Sequence, residues 1–327
     1  MDRFSKQNID KLVLMPKKGF LHKFRVLIGP IIDFSGLIGI LGIIALYYVF
    51  SLPVEFLLIV LILSIYQVVL LYFIFIKFNR IKINEYKVNL GIGRSIKFVF
   101  VSDFHLGKEY TSTNSKRLNK IIQTINSLNI NIVLLGGDFL THAIEPELLE
   151  ELKQIKGKVY AVYGNHDAYY LEENVEYNMP TEFINAFSKS NIKLLLNESV
   201  TETVDGLNIT IGGIPDLYSK TFNIEKAFEG VNPQNIKILL SHNPDVIDFI
   251  EESDGIDLVL SGHNHSGQIF FPLVGAVLPM PTKRKWLTKG IFQINKRTKL
   301  LLSQGIGNSE SRLRINTDLE VCVVSIY

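Results

Sequence analysis

Two long apolar runs stand near the start of the chain, at 26–50 and 57–76. The rest alternates short apolar runs with polar clusters. The first run carries one charge, Asp33, and the second none. A spanning helix needs about 20 apolar residues, so the pattern predicts a transmembrane helical hairpin over 26–77, with a tight turn at Ser51-Leu52-Pro53-Val54-Glu55. Two spans leave both flanks on one side. Arg3, Lys6, Lys11, Lys17, Lys18, Lys23 and Arg25 precede the hairpin, and Lys77, Arg80, Lys82 and Lys87 follow it. The positive-inside rule then places the flanks, and the domain beyond them, on the cytoplasmic face of a multi-pass inner or plasma membrane protein. A signal peptide fits less well, because the first run is too long and a second follows at once. A hairpin buried in a soluble fold is the other alternative. Asp33 is expected near headgroup depth.

Beyond the hairpin the periodicity changes. Residues 96–102 form a β-prone run ending at Asp103. Leu118, Ile121, Ile122, Ile125 and Leu128 form a helical stripe, with Thr113 or Asn114 as its cap. Strands are expected at 131–135 and 159–163, and helices at 147–155 and 181–188. Residues 193–196, 200–204 and 207–211 read as an antiparallel sheet. Strands at 236–240 and 256–260 follow, then meander strands at 291–295, 299–303 and 320–326. The expected order is a basic segment at 1–25, the hairpin at 26–77, a linker at 78–94 and a catalytic domain at 95–327. Its fold class is α/β, a pair of packed mixed sheets with helices outside.

Composition adds two exclusions. A formal net charge of +2 over 327 residues offers no bulk attraction for nucleic acid. Cys322 is the only cysteine, so no intramolecular disulfide and no thiolate metal cluster can form, which fits a reducing compartment.

The chemistry is concentrated where the strands end. Asp103-Phe104-His105, Gly137-Asp138, Gly164-Asn165-His166-Asp167, His242 and Gly262-His263-Asn264-His265 each follow an apolar run, the position where α/β sheets place their sites. Asp103 and His105 are two apart, as are His263 and His265, so alternation sends each pair one way. A carboxylate such as Asp138 can bridge two cations, and Asn165 offers a neutral amide oxygen. Two divalent ions about 4 Å apart clamp a phosphate together with an attacking water. The mixed nitrogen and oxygen donors suit Mn, Fe, Zn or Co without choosing among them. Five of the seven histidines lie in these clusters; His22 reads as a solvated flank residue and His142 as a loop residue within reach of the site.

At these residues the chain resembles the calcineurin-like metallophosphoesterase family, whose signature runs D-x-H, G-D, G-N-H-[DE], H and G-H-x-H. The likeness spans roughly 95–327 and implies a metallophosphoesterase-like two-sheet sandwich flanked by helices. It implies that Asp103, His105, Asp138 and His265 hold one metal ion and that Asp138, Asn165, His242 and His263 hold the other. It gives His166 to the phosphate and Asp167 to orienting His166. The segment Ser261–Gln268 and the later Gln304-Gly305-Ile306-Gly307 resemble the membrane-associated branch, with Asn264 and Ser266 departing from the usual G-H-T-H-G-G-Q. Some members cleave the pyrophosphate of UDP-2,3-diacylglucosamine, a substrate the metal motif does not by itself carry over.

The expected activity is direct hydrolysis of a phosphoester or pyrophosphate. Location favours a lipid-linked substrate and a phospholipid membrane as partner. The same chemistry on a soluble nucleotide or phosphoprotein, and a silent membrane scaffold, are the alternatives. Residues 175–180 read as an access loop. Lys283, Arg284 and Lys285 beside Trp286 read as a basic-aromatic patch for anionic head groups, with Arg312 and Arg314 as further candidates.

Overall fold

The computed structural model describes residues 31, 33–51, 53, 55–141, 145–168, 181–188, 190–276, 281–309 and 311–327. Two apolar helices come first. Helix α1 is Ser35–Phe50 and helix α2 is Phe56–Leu71, which continues through Tyr72–Ile76 and Lys77–Asn79. They fold back on each other. Gly36 lies against Tyr66 and Gln67, and Gln67 accepts from the Leu37 amide at 2.8 Å.

The expected hairpin of two spans is corrected here. Among the described residues one helix, Phe56–Asn79 with 24 residues, is long and apolar enough to cross a membrane. Helix α1 has 16 residues, about 24 Å at 1.5 Å per residue, against a hydrocarbon core of about 30 Å. The helix is broken by a turn at Phe34, next to Asp33, whose buried carboxylate accepts from Ser311 Oγ at 2.6 Å and from the Arg312 amide at 3.2 Å and so ties this end of the run to the following domain. The multi-pass topology, and the sidedness argued from it, fall with the second span. The start of the expected hairpin and His22 lie outside the described residues.

The rest is a two-sheet sandwich with helices on its faces. In chain order its strands are β1 (Ile81–Val88), β2 (Ile96–Val101), β3 (Ile132–Leu135), β4 (Lys158–Ala161), β5 (Ile192–Leu194), β6 (Glu198–Val204), β7 (Leu207–Gly213), β8 (Ile236–Leu240), β9 (Leu258–Ser261), β10 (Phe270–Phe271), β11 (Gly275–Ala276), β12 (Gly290–Gln293), β13 (Lys299–Leu302) and β14 (Leu319–Ile326). One six-stranded sheet runs β1-β14-β2-β3-β4-β5 and the other β12-β13-β9-β8-β7-β6. β10 and β11 form a separate small hairpin.

Strand β2 shows why both faces are filled. Phe98 and Phe100 point into the layer between the sheets, with Leu134, Ile211, Ile238, Leu260 and Val324. Val99 and Val101 point outward under helix α3 (Ser115–Ser127) and meet Leu118, Ile121, Ile122 and Ile125. Asn114 caps α3, accepting from the Arg117 amide. The β6–β7 hairpin turns at Asp205 and Gly206, both at positive φ, as a two-residue connection of this hand requires.

Two strand placements differ from the periodicity. β5 joins β4 in parallel instead of pairing with β6. β14 leaves the expected meander and runs between β1 and β2. It is buried along nearly its whole length, which is the signature of a central strand rather than an edge. β1 itself arises within residues read as linker.

Candidate metal centre

The five polar clusters converge where the parallel strands of both sheets end. The chain bends sharply as it leaves them. Asp103, His105, Asp138, His263 and His265 all have positive φ, between 48° and 76°. That conformation is costly for residues other than glycine and gathers at functional sites. Two glycines make room for the carboxylates. A Cβ on Gly164 would overlap Asp138 Oδ1, and one on Gly262 would overlap Ser102 Oγ and Asp103 Oδ2.

Three groups bring ligand atoms within 4.8 Å of one another: Asp103 with His105 and His265, His105 with Asp138 and His166, and Asp138 with His242 and His263. Asp138 Oδ2 lies 3.1 Å from His242 Nε2 and 3.7 Å from His105 Nε2, between the outer two groups. His265 Nε2 is 3.4 Å from Asp103 Oδ1.

Hydrogen bonds at the far side of the rings decide which nitrogens face inward. His242 Nδ1 donates to the Gly136 carbonyl at 2.8 Å, and His263 Nε2 donates to the Pro281 carbonyl at 3.2 Å. The remaining nitrogens, His242 Nε2 and His263 Nδ1, face each other at 3.1 Å. His105 Nε2 and His265 Nε2 stand 3.0 Å apart. The Asn165 Oδ1 is buried with no hydrogen-bond partner among the described residues. Converging carboxylates and ring nitrogens with an orphaned carbonyl oxygen are what divalent cations satisfy. The residues fit two ions, and the centre is dinuclear.

Electrostatics favour the ligand forms of Asp138, His263 and His265. Burial alone would lower His242, but the Asp138 carboxylate outweighs it and raises the ring to about 10, so a cation there displaces a proton. Burial alone would raise Asp138, but His242, His166 and His105 outweigh it and hold the carboxyl well below its usual range. Burial, aided by the nearby His242, pushes His263 down to about 3. Burial and the His105 and Arg314 charges hold His265 well below its ordinary value. Both rings are therefore neutral. Burial drives Asp103 up to about 6, opposed by His242.

The outer residues are held by contacts that spacing does not reveal. His166 Nδ1 donates to the Thr141 carbonyl at 3.0 Å, and the His166 amide donates to Asp138 Oδ1 at 2.9 Å. Asp167 accepts from the amides of Leu140 at 2.9 Å and Gly164 at 2.8 Å, so its carboxylate ties together the two loops that carry Asp138 and His166. Burial and the Asp138 charge raise Asp167 to about 8. Arg314 is buried, and one of its guanidinium nitrogens lies 3.1 Å from His265 Nδ1 and 2.7 Å from the Gly307 carbonyl. It belongs to the metal centre rather than to a head-group surface. Asp216 is also buried beside His242 and is raised to about 6 by burial. It follows the end of β7, so the strand-end rule that found the other clusters applies to it too.

The remaining expected residues lie elsewhere. Lys283 and Arg284 both pair with Asp248, at 2.8 and 2.5 Å. Arg312 covers the rings of Tyr110 and Phe78. His142 and 175–180 lie outside the described residues.

Carboxylates, an amide and imidazoles gathered around two cation positions at the strand ends of an α/β sandwich define a metal-dependent phosphohydrolase. Residues 96–267 match the family model described as calcineurin-like phosphoesterase, and the chain belongs to that family. It is 27% identical over 257 residues to the uncharacterised Bacillus subtilis (strain 168) protein YpbG, covering 76% of this chain and 88% of that one. It is 28% identical over 281 residues to the UDP-2,3-diacylglucosamine pyrophosphatase LpxG of Chlamydia muridarum (strain MoPn / Nigg), covering 70% and 83%. A transmembrane protein with metallophosphoesterase domain from Danio rerio is 28% identical over 242 residues; the match covers 69% of this chain and 52% of that protein.

Proposed function

We propose that this phosphoesterase is anchored in a membrane by helix α2 and hydrolyses a lipid-linked phosphoester or pyrophosphate. The observation that carries the reading is the junction between helix and domain. Leu70 and Ile74 of the α2 segment pack on Ile269 and Leu313, and these two residues flank the metal-centre loops that hold His265 and Arg314. Along the rest of the helix Leu57, Leu58, Leu61, Ile62, Ile65 and Val68 are exposed, an apolar face that a bilayer would cover. A site joined to such a helix meets lipid head groups at high local concentration. The pyrophosphatase activity named for the Chlamydia relative and the transmembrane description of the zebrafish one support the same reading.

Bound at this centre, two divalent ions supply Lewis acidity and lower the pKa of a coordinated water. The chain does the positioning. Asp138 stands between the two ligand groups and holds them in register. His242 and His263 are oriented through Gly136 and Pro281. His166 is half-buried and held by Thr141, and in this reading it meets charge on the phosphate. His166 acts on the leaving oxygen or on the equatorial oxygens; the same ring position serves either.

The test is a substrate panel with the full-length chain in detergent micelles and Mn, Fe, Zn or Co added singly. Lipid phosphates and sugar-nucleotide lipids should be hydrolysed with higher kcat/KM than mononucleotides. A preference for soluble mononucleotides would overturn the lipid assignment and leave the metallohydrolase intact.

A further inference from the structure

The small hairpin β10–β11 ends in an unusual turn. The Val274 amide donates to the Phe271 carbonyl at 3.1 Å, closing a turn with Pro272 at its second position. Tips of this kind are usually built from Gly, Asn, Asp or Ser. Here the exposed residues are apolar: Phe271 is 40% exposed, Val274 78% and Leu273 100%. An exposed apolar cluster of this sort marks a contact site.

Its position names the contact. Ile269, the residue before β10, packs on Leu70 and Ile74. Those residues lie five and nine positions before Asn79, the end of the apolar helix, about 7 to 14 Å along its axis. A 24-residue helix is about 36 Å long, so at most its last turn, about 6 Å, stands outside a hydrocarbon core of about 30 Å. The hairpin therefore starts at the edge of the hydrocarbon core or just inside it. At its other end, Pro281, whose carbonyl holds His263, is five positions past Ala276, a reach of at most about 18 Å.

We propose that the Phe271–Val274 tip inserts into the same phospholipid bilayer that holds α2, as a second point of attachment beside the metal centre. The proposal rests on the anchor reading above. Helix and tip together fix the tilt of the domain as well as its height, which one helix cannot do alone. They also set the His263 side of the centre toward the lipid surface.

Leu273→Cys provides the test. Cys322 is fully buried, so a thiol-reactive, environment-sensitive fluorophore goes to position 273, with the unsubstituted chain as the labelling control. The full-length protein is reconstituted in phosphatidylcholine vesicles with and without brominated acyl chains, and Ile65→Cys, exposed on α2, is labelled in parallel. The expected result is blue-shifted emission at 273 and a severalfold quench by the brominated lipid. A quenched probe at 65 beside an unquenched, water-like probe at 273 would overturn the hairpin proposal alone. A chain that leaves carbonate-washed vesicles altogether would remove the anchor reading and this proposal with it. Disulfide-linked dimers forming through Cys at 273 would assign the tip to a second copy of the chain and likewise overturn the bilayer contact. Leu273→Asp combined with Val274→Asp should lose the bilayer-dependent behaviour while keeping hydrolysis of a soluble aryl phosphate unchanged.

Discussion

The guanidinium of Arg314 lies 3.1 Å from His265 Nδ1, buried, with its other donors on the carbonyls of Gln304, Gly307 and Asp318 and on Asn308 Oδ1. A fixed cation beside the ring repels a second proton, so the imidazole stays neutral, and its donation to Nδ1 fixes the ring's orientation in the centre. Partners behind a metal-bound histidine typically contribute 10–100-fold in affinity. Arg314→Gln should therefore weaken one of the two ions by about that factor. Metal analysis after gel filtration should fall from two ions toward one per chain, while Arg314→Lys should restore part of the loss.

Asp138 stands between both ligand groups. Asp138→Asn should abolish hydrolysis of a generic aryl phosphate under every metal condition. Chelation of the unsubstituted protein should do the same reversibly. It should also lower the melting temperature, because the loops carrying Asp103, Asp138, His242 and His263 lose the cations that cross-link them. Adding back Mn should restore both activity and melting temperature. Full activity in Asp138→Asn would end the dinuclear assignment.

His166 is held by Thr141 and lies beside His105 at a ring separation of 4.9 Å. Removing a preorganised donor of this kind costs about 10²–10³ in kcat. His166→Ala should show that loss with two ions still bound, which separates it from the ligand variants by metal content alone.

Asp33 joins the helices to the domain through Ser311 and the Arg312 amide. Asp33→Ala leaves those buried donors without a partner, at a cost of about 1–3 kcal/mol. A lower melting temperature is expected in thermal denaturation, with metal content unchanged.

Glu202 links the two sheets, accepting from Lys158 Nζ and Tyr160 Oη across from β4. Burial would raise its carboxyl, but Lys158 and Tyr160 outweigh it and depress it below its ordinary 4.5. A depressed acid contributes stability that is present above its unfolded value and is lost as pH falls through its folded one. The urea midpoint should therefore drop below about pH 4.5 in the unsubstituted chain. Glu202→Gln should be less stable at pH 7 and should show less of that acid-side decline.

The ligand set could be read from the sequence because every member follows an apolar run, so local pattern and function coincide at Asp103, Asp138, Asn165, His242 and His263. What supports them could not. Arg314 reaches His265 across 49 positions, and the carbonyls of Gly136, Thr141 and Pro281 carry no side-chain signature at all. Periodicity found β14 as a strand, but its place beside β2 depends on which of several apolar faces packs best. Asp33 misled in the opposite direction. A single acid in an apolar run was compatible with a span, and nothing local carries its contact with Ser311, 278 residues away, which ties that end of the run to the domain.

Arg80 alone separates the end of the apolar helix from β1, and β1 pairs with β14 along all eight of its residues. There is no slack in that junction. An enzyme on a long tether can search the space around its attachment point, but this one is welded to its stalk. Held in a bilayer as proposed, the helix would set how high above it the reaction takes place, and a substrate would have to come to that height to be cut.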